Sequence, residues 1–318
     1  MSNLKESKNI GVFNLVKIDL TAKFIAIIIC TTIFFISADS VLAKNGANDS
    51  LHVIVNGHER NYFVHYPDPE LKMNGQYPVI IALHGGLGNA ERMEKSSNLN
   101  TLADREKFIV VYPEGTNVKM LKKAHTWNAG VCCGAAVKKN IDDVEFLSRM
   151  IDDLVKNYHG DPKRIYVTGM SNGAMMAYRL ACERPEKIAA IVPVAGTLAI
   201  PQCSTTATEI PVLHIHGEQD TNVPIHGGKG KRSVAGIEHR SVYETMDLLA
   251  RNRECQKPVV SEDKPDLELT VYQCSRGADI QLLRLKRAGH VWPEPSIEGI
   301  NISAAELIWE FSRKFSKP

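Results

Sequence analysis

The chain has 318 residues, 44% of them hydrophobic and 23% charged, with a formal net charge of +2. That is the balance of an ordinary globular protein able to bury a large core. With no basic block, the chain has no electrostatic footing for nucleic acid or an anionic membrane.

The first 43 residues stand apart from the rest. Lys5, Lys8, Lys17 and Lys23 precede the apolar run Phe24–Ala38, and Val41-Leu42-Ala43 ends in the small residue a signal peptidase prefers. At 15 residues the run is shorter than the roughly 20 a membrane span needs. Residues 1–43 are therefore expected to be a secretory signal, with the mature chain starting near Lys44 and destined for the periplasm or the medium; the alternative, given the long lysine-bearing leader, is an uncleaved anchor. Residues 44–50 would be a linker and residues 51–318 the working domain. Removing the leader takes away four lysines and three acids, so the mature chain is close to neutral. It keeps six of the seven cysteines, and an even count in an exported protein favours disulfides. Cys255 and Cys274 flank an expected hairpin and are the first pair, and Cys182 with Cys203 the next. Cys132 and Cys133 would then bond each other or stay reduced.

Beyond the linker, Leu51 to Pro67 alternates apolar and polar residues around Asn56-Gly57, a strong hairpin pattern. Tyr77 to Gly86 and Phe108 to Gly115 are compact apolar runs of the kind found in strands buried on both faces. Val144, Leu147, Ile151 and Leu154 mark a helix across Asp142 to Tyr158. A strand at Ile165–Val167 leads through Gly169-Met170-Ser171-Asn172-Gly173 into a helix at Asn172 to Glu183. Strands follow at Ile188–Gly196, Ile210–Asp220 and Ile280–His290, and Ser303 to Glu306 fits the capping box of a last helix. An antiparallel start followed by alternating strands and helices predicts an α/β fold, a mostly parallel central sheet with helices on both faces.

A serine between two glycines at a strand-to-helix turn carries chemistry only if a base can take its proton. In parallel sheets the loops at the carboxyl ends of strands gather on one edge. Two such loops carry partners: Asp220 after Val212–Gln219, and His290 after Leu282–Gly289. The order Ser171, Asp220, His290 is that of the α/β-hydrolases. Ser171 would attack an acyl carbon, His290 would relay the proton, and Asp220 would hold the imidazole. The oxyanion would be met by the Asn172 amide at the helix start and by the loop His84 to Gly88, through Gly86 or Leu87. Asp142 and Asp143 are rival acids. His84 reads as support for its loop. His214 and His216 share one face of a strand too apolar to suggest metal.

The blocks "LHGG", "VVYPEGT", "TWNAGVCCG", "IDDVEFL", "VTGMSNGAMMAYRLACERPEKIAAIVPVAGTL", "HIHGEQDTNVPIHGG" and "GHVWP" together resemble the polyhydroxybutyrate depolymerase and feruloyl esterase family of secreted α/β-hydrolases. The resemblance runs from about Leu51 to the C-terminus. It implies a carboxylic-ester hydrolase with no metal or organic cofactor, acting through Ser171, Asp220 and His290 on a short polyester or on feruloyl or acetyl groups of a polysaccharide. In this pattern Trp127 and Trp292 stand beside the site, where an aromatic wall would stack on a ring or sugar. Cys132-Cys133 would be structural. No stable membrane association is expected once the leader is cut. The rival readings are a serine peptidase of the same fold, for which no added lid or propeller segment is seen, and a non-catalytic polymer-binding homologue, which an intact triad opposes.

Overall fold

The computed structural model describes residues 48–67, 75–118, 121, 123–203, 210–233, 235–251, 253–275, 278, 280–297 and 299–318. They fall in one compact unit, Ala43–Pro318. The expected leader lies outside the described residues.

Strands β1 (Asn48–Val55) and β2 (His58–His65) form the expected hairpin, and Asn56 and Gly57 at its tip take φ of 50° and 79°. Two positive φ values make a tight turn whose twist suits the strands it joins, and Asn-Gly tolerates them best. Strand β3 (Tyr77–Leu83) is followed by two eight-residue helices, α1 (Ala90–Ser97) and α2 (Leu99–Glu106), then by β4 (Ile109–Pro113). A short ribbon of β5 (Thr116–Asn117) and β6 (His125–Thr126) and a turn of helix α3 (Gly134–Lys138) precede α4 (Asp143–Asn157). The expected apolar residues of α4 are all buried, and Asp142 caps its N-terminus by accepting from the Glu145 amide at 3.0 Å.

Strand β7 (Gly160–Met170) begins five residues before the apolar run that announced it, and leads through Ser171 into α5 (Asn172–Glu183). Next come β8 (Ala190–Val194), β9 (Val212–Gly217), a second ribbon of β10 (Gly228–Lys229) and β11 (Glu238–His239), and α6 (Val242–Arg251). The chain closes with β12 (Val259–Asp263), β13 (Leu267–Tyr272), β14 (Ile280–Leu285) and α7 (Ala304–Ser312). Ser303 caps α7, as its sequence suggested.

Ten strands make one sheet in the order β1-β2-β4-β3-β7-β8-β9-β14-β13-β12. The six strands from β4 to β14 run parallel, and an antiparallel pair extends each end. Side chains alternate between two cores. Val79, Ile81 and Leu83 of β3 meet α4, α5 and α6, while Ile80 and Ala82 meet α1, α2 and α7 on the other face. Burial on both faces is why these strands read as unbroken apolar runs.

Cys182 bonds Cys203, tying the end of α5 to the segment after β8; Cys255 bonds Cys274 at the base of the β12–β13 hairpin; and Cys132 bonds Cys133. The Cys182–Cys203 link closes a loop with a sequence separation of 21. Replacing both with serine is expected to lower the unfolding free energy by about 3 kcal/mol, measured by urea denaturation under oxidising conditions.

Candidate active site

Five parallel strands end at the same edge. Leu83 of β3 stands beside Gly169 of β7, Met170 of β7 beside Val194 of β8, and Leu285 of β14 beside Gly217 of β9. The loops leaving β3, β7, β9 and β14 carry His84–Gly88, Ser171, Asp220 and His290. Strand β14 stops at Leu285, short of the His290 expected from sequence, so His290 sits on the following loop.

Ser171 has φ 56° and ψ −117°, a strained backbone for a residue with a side chain. The turn is held by its amide, which donates to the Val194 carbonyl at 2.9 Å. Its flanking glycines are sterically required. A Cβ on Gly173 would lie 2.3 Å from the Leu83 carbonyl oxygen, and one on Gly169 would lie 2.7 Å from the Gly173 backbone. Helix α5 thus starts in direct backbone contact with the end of β3.

His290 donates from Nδ1 to Asp220 Oδ2 at 2.7 Å. The other carboxylate oxygen, Oδ1, accepts from the Asn222 and Val223 amides, each at 2.8 Å. Burial works against charge on Asp220, yet the bond and charge of His290 and the Val223 amide outweigh it and hold the carboxyl below its ordinary pKa. The rival acids are engaged elsewhere: Asp142 caps α4, and Asp143 accepts from Arg60 at 2.7 Å and from the Asn128 amide at 2.7 Å.

Behind Asp220 runs a buried chain of donors. Val223 O can only accept, so His216 Nε2 carries the hydrogen that reaches it at 2.9 Å. His216 Nδ1 must then accept from His214 Nε2 at 3.0 Å, and His214 Nδ1 from the Tyr178 hydroxyl at 2.7 Å. All four ring nitrogens are engaged, and burial keeps both rings neutral by lowering their pKa. His216 Nε2 also lies 3.5 Å from Asp220 Oδ2.

Ser171 and His290 line one cleft of about 370 Å³, together with Gly85, Gly86, Leu87 and Asn172. Asn172 is the first residue of α5, so its amide has no intrahelical acceptor. The Gly85 carbonyl accepts from His84 Nδ1 at 2.8 Å and from the Gly88 amide at 3.0 Å, which fixes the peptide whose other end is the Gly86 N–H. His84 Nε2 in turn accepts from the Gly115 amide at 3.0 Å, and burial lowers its pKa to about 4. His84 is neutral and braces its loop.

Three expectations need correction. The Leu87 amide donates to the His125 carbonyl at 2.8 Å as part of a bridge to β6, so it cannot serve an oxyanion, and Gly86 is the donor left to this loop. Trp127 is fully buried and off the cleft wall. It joins the two loops instead. Its indole N–H donates to the His84 carbonyl at 2.9 Å, its amide to Asn172 Oδ1 at 2.7 Å, and its carbonyl accepts from Asn172 Nδ2 at 3.1 Å. Trp292, 7% exposed, belongs to the core shared by α1, α2 and α7 and is likewise absent from the wall. The wall is built instead from residues not expected there: Met170, Met175, the bonded Cys132 and Cys133, and Asn222, Ser233 and His239 from the β9–α6 connection. Asn222, two residues beyond Asp220, was within reach of the motif.

A strained serine at a nucleophile turn and an aspartate-bound histidine on one cleft, over a mostly parallel sheet, define an α/β-hydrolase. Residues 62–256 match the Esterase PHB depolymerase family, and the chain belongs to it as an ester hydrolase. The NocK protein of Nocardia uniformis subsp. tsuyamanensis is 35% identical over 257 residues, covering 76% of this chain and 73% of its own. Feruloyl esterase B of Piromyces equi is 28% identical over 76% of this chain, and the bifunctional acetylxylan esterase/xylanase XynS20E of Neocallimastix patriciarum 26% over 74%. The chain spans 42% and 30% of those two longer relatives. Among solved structures, the acetyl xylan esterase from Aspergillus awamori shares the fold at a TM-score of 0.55 and 16% identity, covering 77% of this chain and 94% of its own.

Two outcomes are expected. Trp127→Phe keeps a ring but leaves the buried His84 carbonyl without its indole donor, and should cost about 1–3 kcal/mol of stability in urea unfolding. Burial lowers the pKa of His84, His214, His216 and His239, so the unfolded chain takes protons near pH 6.5 that the folded chain refuses. Their contribution is complete above that pH and is lost as pH falls through the lowered values. Glu114, raised by burial to about 7, and Asp143, also raised, act in the opposite sense but are outnumbered. The urea midpoint should therefore be lower at pH 5 than at pH 7.5.

Proposed function

We propose that this chain is an exported serine carboxylic-ester hydrolase that works through an acyl-enzyme, on a short polyester or on the feruloyl or acetyl groups of a polysaccharide. The observation that carries this reading is the His290–Asp220 bond at 2.7 Å, with His290 and Ser171 on one cleft. Ser171 Oγ attacks the ester carbon as His290 Nε2 takes its proton. The oxyanion is met by the Gly86 and Asn172 amides. His290 then returns the proton to the departing alcohol, and Asp220, charged throughout, stabilises the imidazolium between the two transfers. Water repeats the sequence and frees the acid.

The substrate classes come from the relatives, which are named for feruloyl and acetylxylan esters and for poly(3-hydroxyalkanoate). The leader of residues 1–43 supports export, with residues 51–318 as the catalytic domain. Among the described residues no helix is long and apolar enough to cross a membrane.

The test offers the protein from Lys44 onward methyl ferulate and amorphous polyhydroxybutyrate in parallel, with Ser171→Ala as the blank. Ser171→Ala is expected to lower kcat by about 10⁴-fold or more and to abolish labelling by a fluorophosphonate. Release of ferulate alone would place it with the polysaccharide esterases, and release of 3-hydroxybutyrate alone with the depolymerases. Wild-type rates in Ser171→Ala on an activated ester would overturn the assignment.

A further inference from the structure

The β9–α6 connection brings a second kind of chemistry to the cleft. Asn222, Ser233 and His239 are three uncharged polar residues on its wall, and among the described residues no lysine, arginine, aspartate or glutamate lines it. His239 is 8% exposed, and its Nε2 is buried with no hydrogen-bond partner among the described residues. A buried ring nitrogen left in that condition costs free energy unless something in the cleft completes it.

The segment is held in place by its backbone. His239 pairs with Gly228 across the β10–β11 ribbon. The Arg232 amide donates to the Thr221 carbonyl at 3.0 Å and the Ser233 amide to the Gly230 carbonyl at 3.1 Å. A Cβ on Gly230 would fall 2.0 Å from the Asn222 carbonyl oxygen, so the two ends of the connection lie in backbone contact. The same stretch begins at the Asn222 and Val223 amides that grip Asp220. His239 is therefore registered against the same loop that positions the acid. Burial, the largest influence, lowers its pKa and outweighs Asp220, so the ring is neutral at pH 7, with one nitrogen to donate and one to accept.

We propose that His239 is a substrate-contacting residue whose Nε2 bonds a hydroxyl carried near the scissile ester, so that the enzyme selects hydroxylated esters over their deoxy counterparts. A hydroxyl both donates and accepts, so it fits either tautomer of the ring, and Asn222 and Ser233 offer it further neutral partners. A charged group finds no counter-ion there, and an alkyl group leaves the nitrogen unpaired. The hydroxyl has two sources, the acyl part or the alcohol part. The proposal rests on the cleft being an ester site.

The experiment compares kcat/KM within two matched pairs: p-nitrophenyl butyrate against p-nitrophenyl 3-hydroxybutyrate for the acyl side, and propyl butyrate against 3-hydroxypropyl butyrate for the alcohol side. Wild type should prefer the hydroxylated member of one pair by about tenfold, the scale of one neutral hydrogen bond, and which pair responds identifies the source. In His239→Leu that ratio should collapse to about one whatever happens to the absolute rates, and His239→Gln, which keeps a donor and an acceptor, should restore part of it. Thermal unfolding of each variant separates misfolding from lost recognition. No preference in either pair of wild type, or an unchanged ratio in folded His239→Leu, would overturn the proposal while leaving the esterase reading intact. Wild type no faster than Ser171→Ala on all four esters would remove both.

Discussion

The architecture of the site depends on one close approach: the first turn of α5 rests against the end of β3 with no side chain between them. At Gly173 the nearest atoms to a would-be Cβ are the carbonyl oxygens of Leu83 and His84, at 2.3 and 2.6 Å. This contact brings the Ser171 turn and the His84–Gly88 loop together at one cleft. It also forces Ser171 into a left-handed backbone conformation, a strain that the parallel pairing of β7 with β3 and β8 maintains. Trp127 reinforces the arrangement, because its backbone holds Asn172 on one side and its indole holds His84 on the other. The indole is large and buried because it spans two loops from within, and that same position removes it from contact with substrate.

Polarity in the interior is organised around this contact. His84, His214 and His216 are buried and neutral, and each finds partners that fix its tautomer. Alternation along β9 sends Leu213 and Ile215 to one core and His214 and His216 to the other, where Tyr178 of α5 meets them. A strand that reads as apolar thus carries a polar thread on one face only, ending at the loop that holds Asp220. His239 differs, since the residue lines the cleft and its buried Nε2 has no hydrogen-bond partner among the described residues.

Much of the fold was legible because burial on both faces writes a plain signature. Val79 to Leu83 and Ile165 to Val167 leave no other role for their residues, and Asn56-Gly57 announces its hairpin. Helices α1 and α2 escaped notice because eight residues hold too few periods of an apolar pattern to stand out. In the site, glycines flanking Ser171 and acidic and imidazole groups after later strands were visible as local motifs in a telling order. Leu87 and Trp127 were misjudged because their roles rest on partners far along the chain: the Leu87 amide is taken by His125, and Trp127 engages Asn172, 45 residues away. Nothing in the local pattern around His239 hints that a two-residue ribbon delivers it to the cleft.

The two oxygens of Asp220 have separate duties, and this constrains what the position can hold. Oδ1 faces two backbone amides, and Oδ2 faces the His290 N–H with His216 close behind. Every neighbour is a donor, so the position demands acceptors on both sides at once. An asparagine has only one, and whichever way its amide is turned, an N–H confronts an N–H. The loop or the imidazole must then give way. Shape alone therefore cannot substitute here. The carboxylate is selected by the direction of the hydrogen bonds around it as much as by its charge, and the nearest isostere would disturb the backbone of the loop as well as the ring it orients.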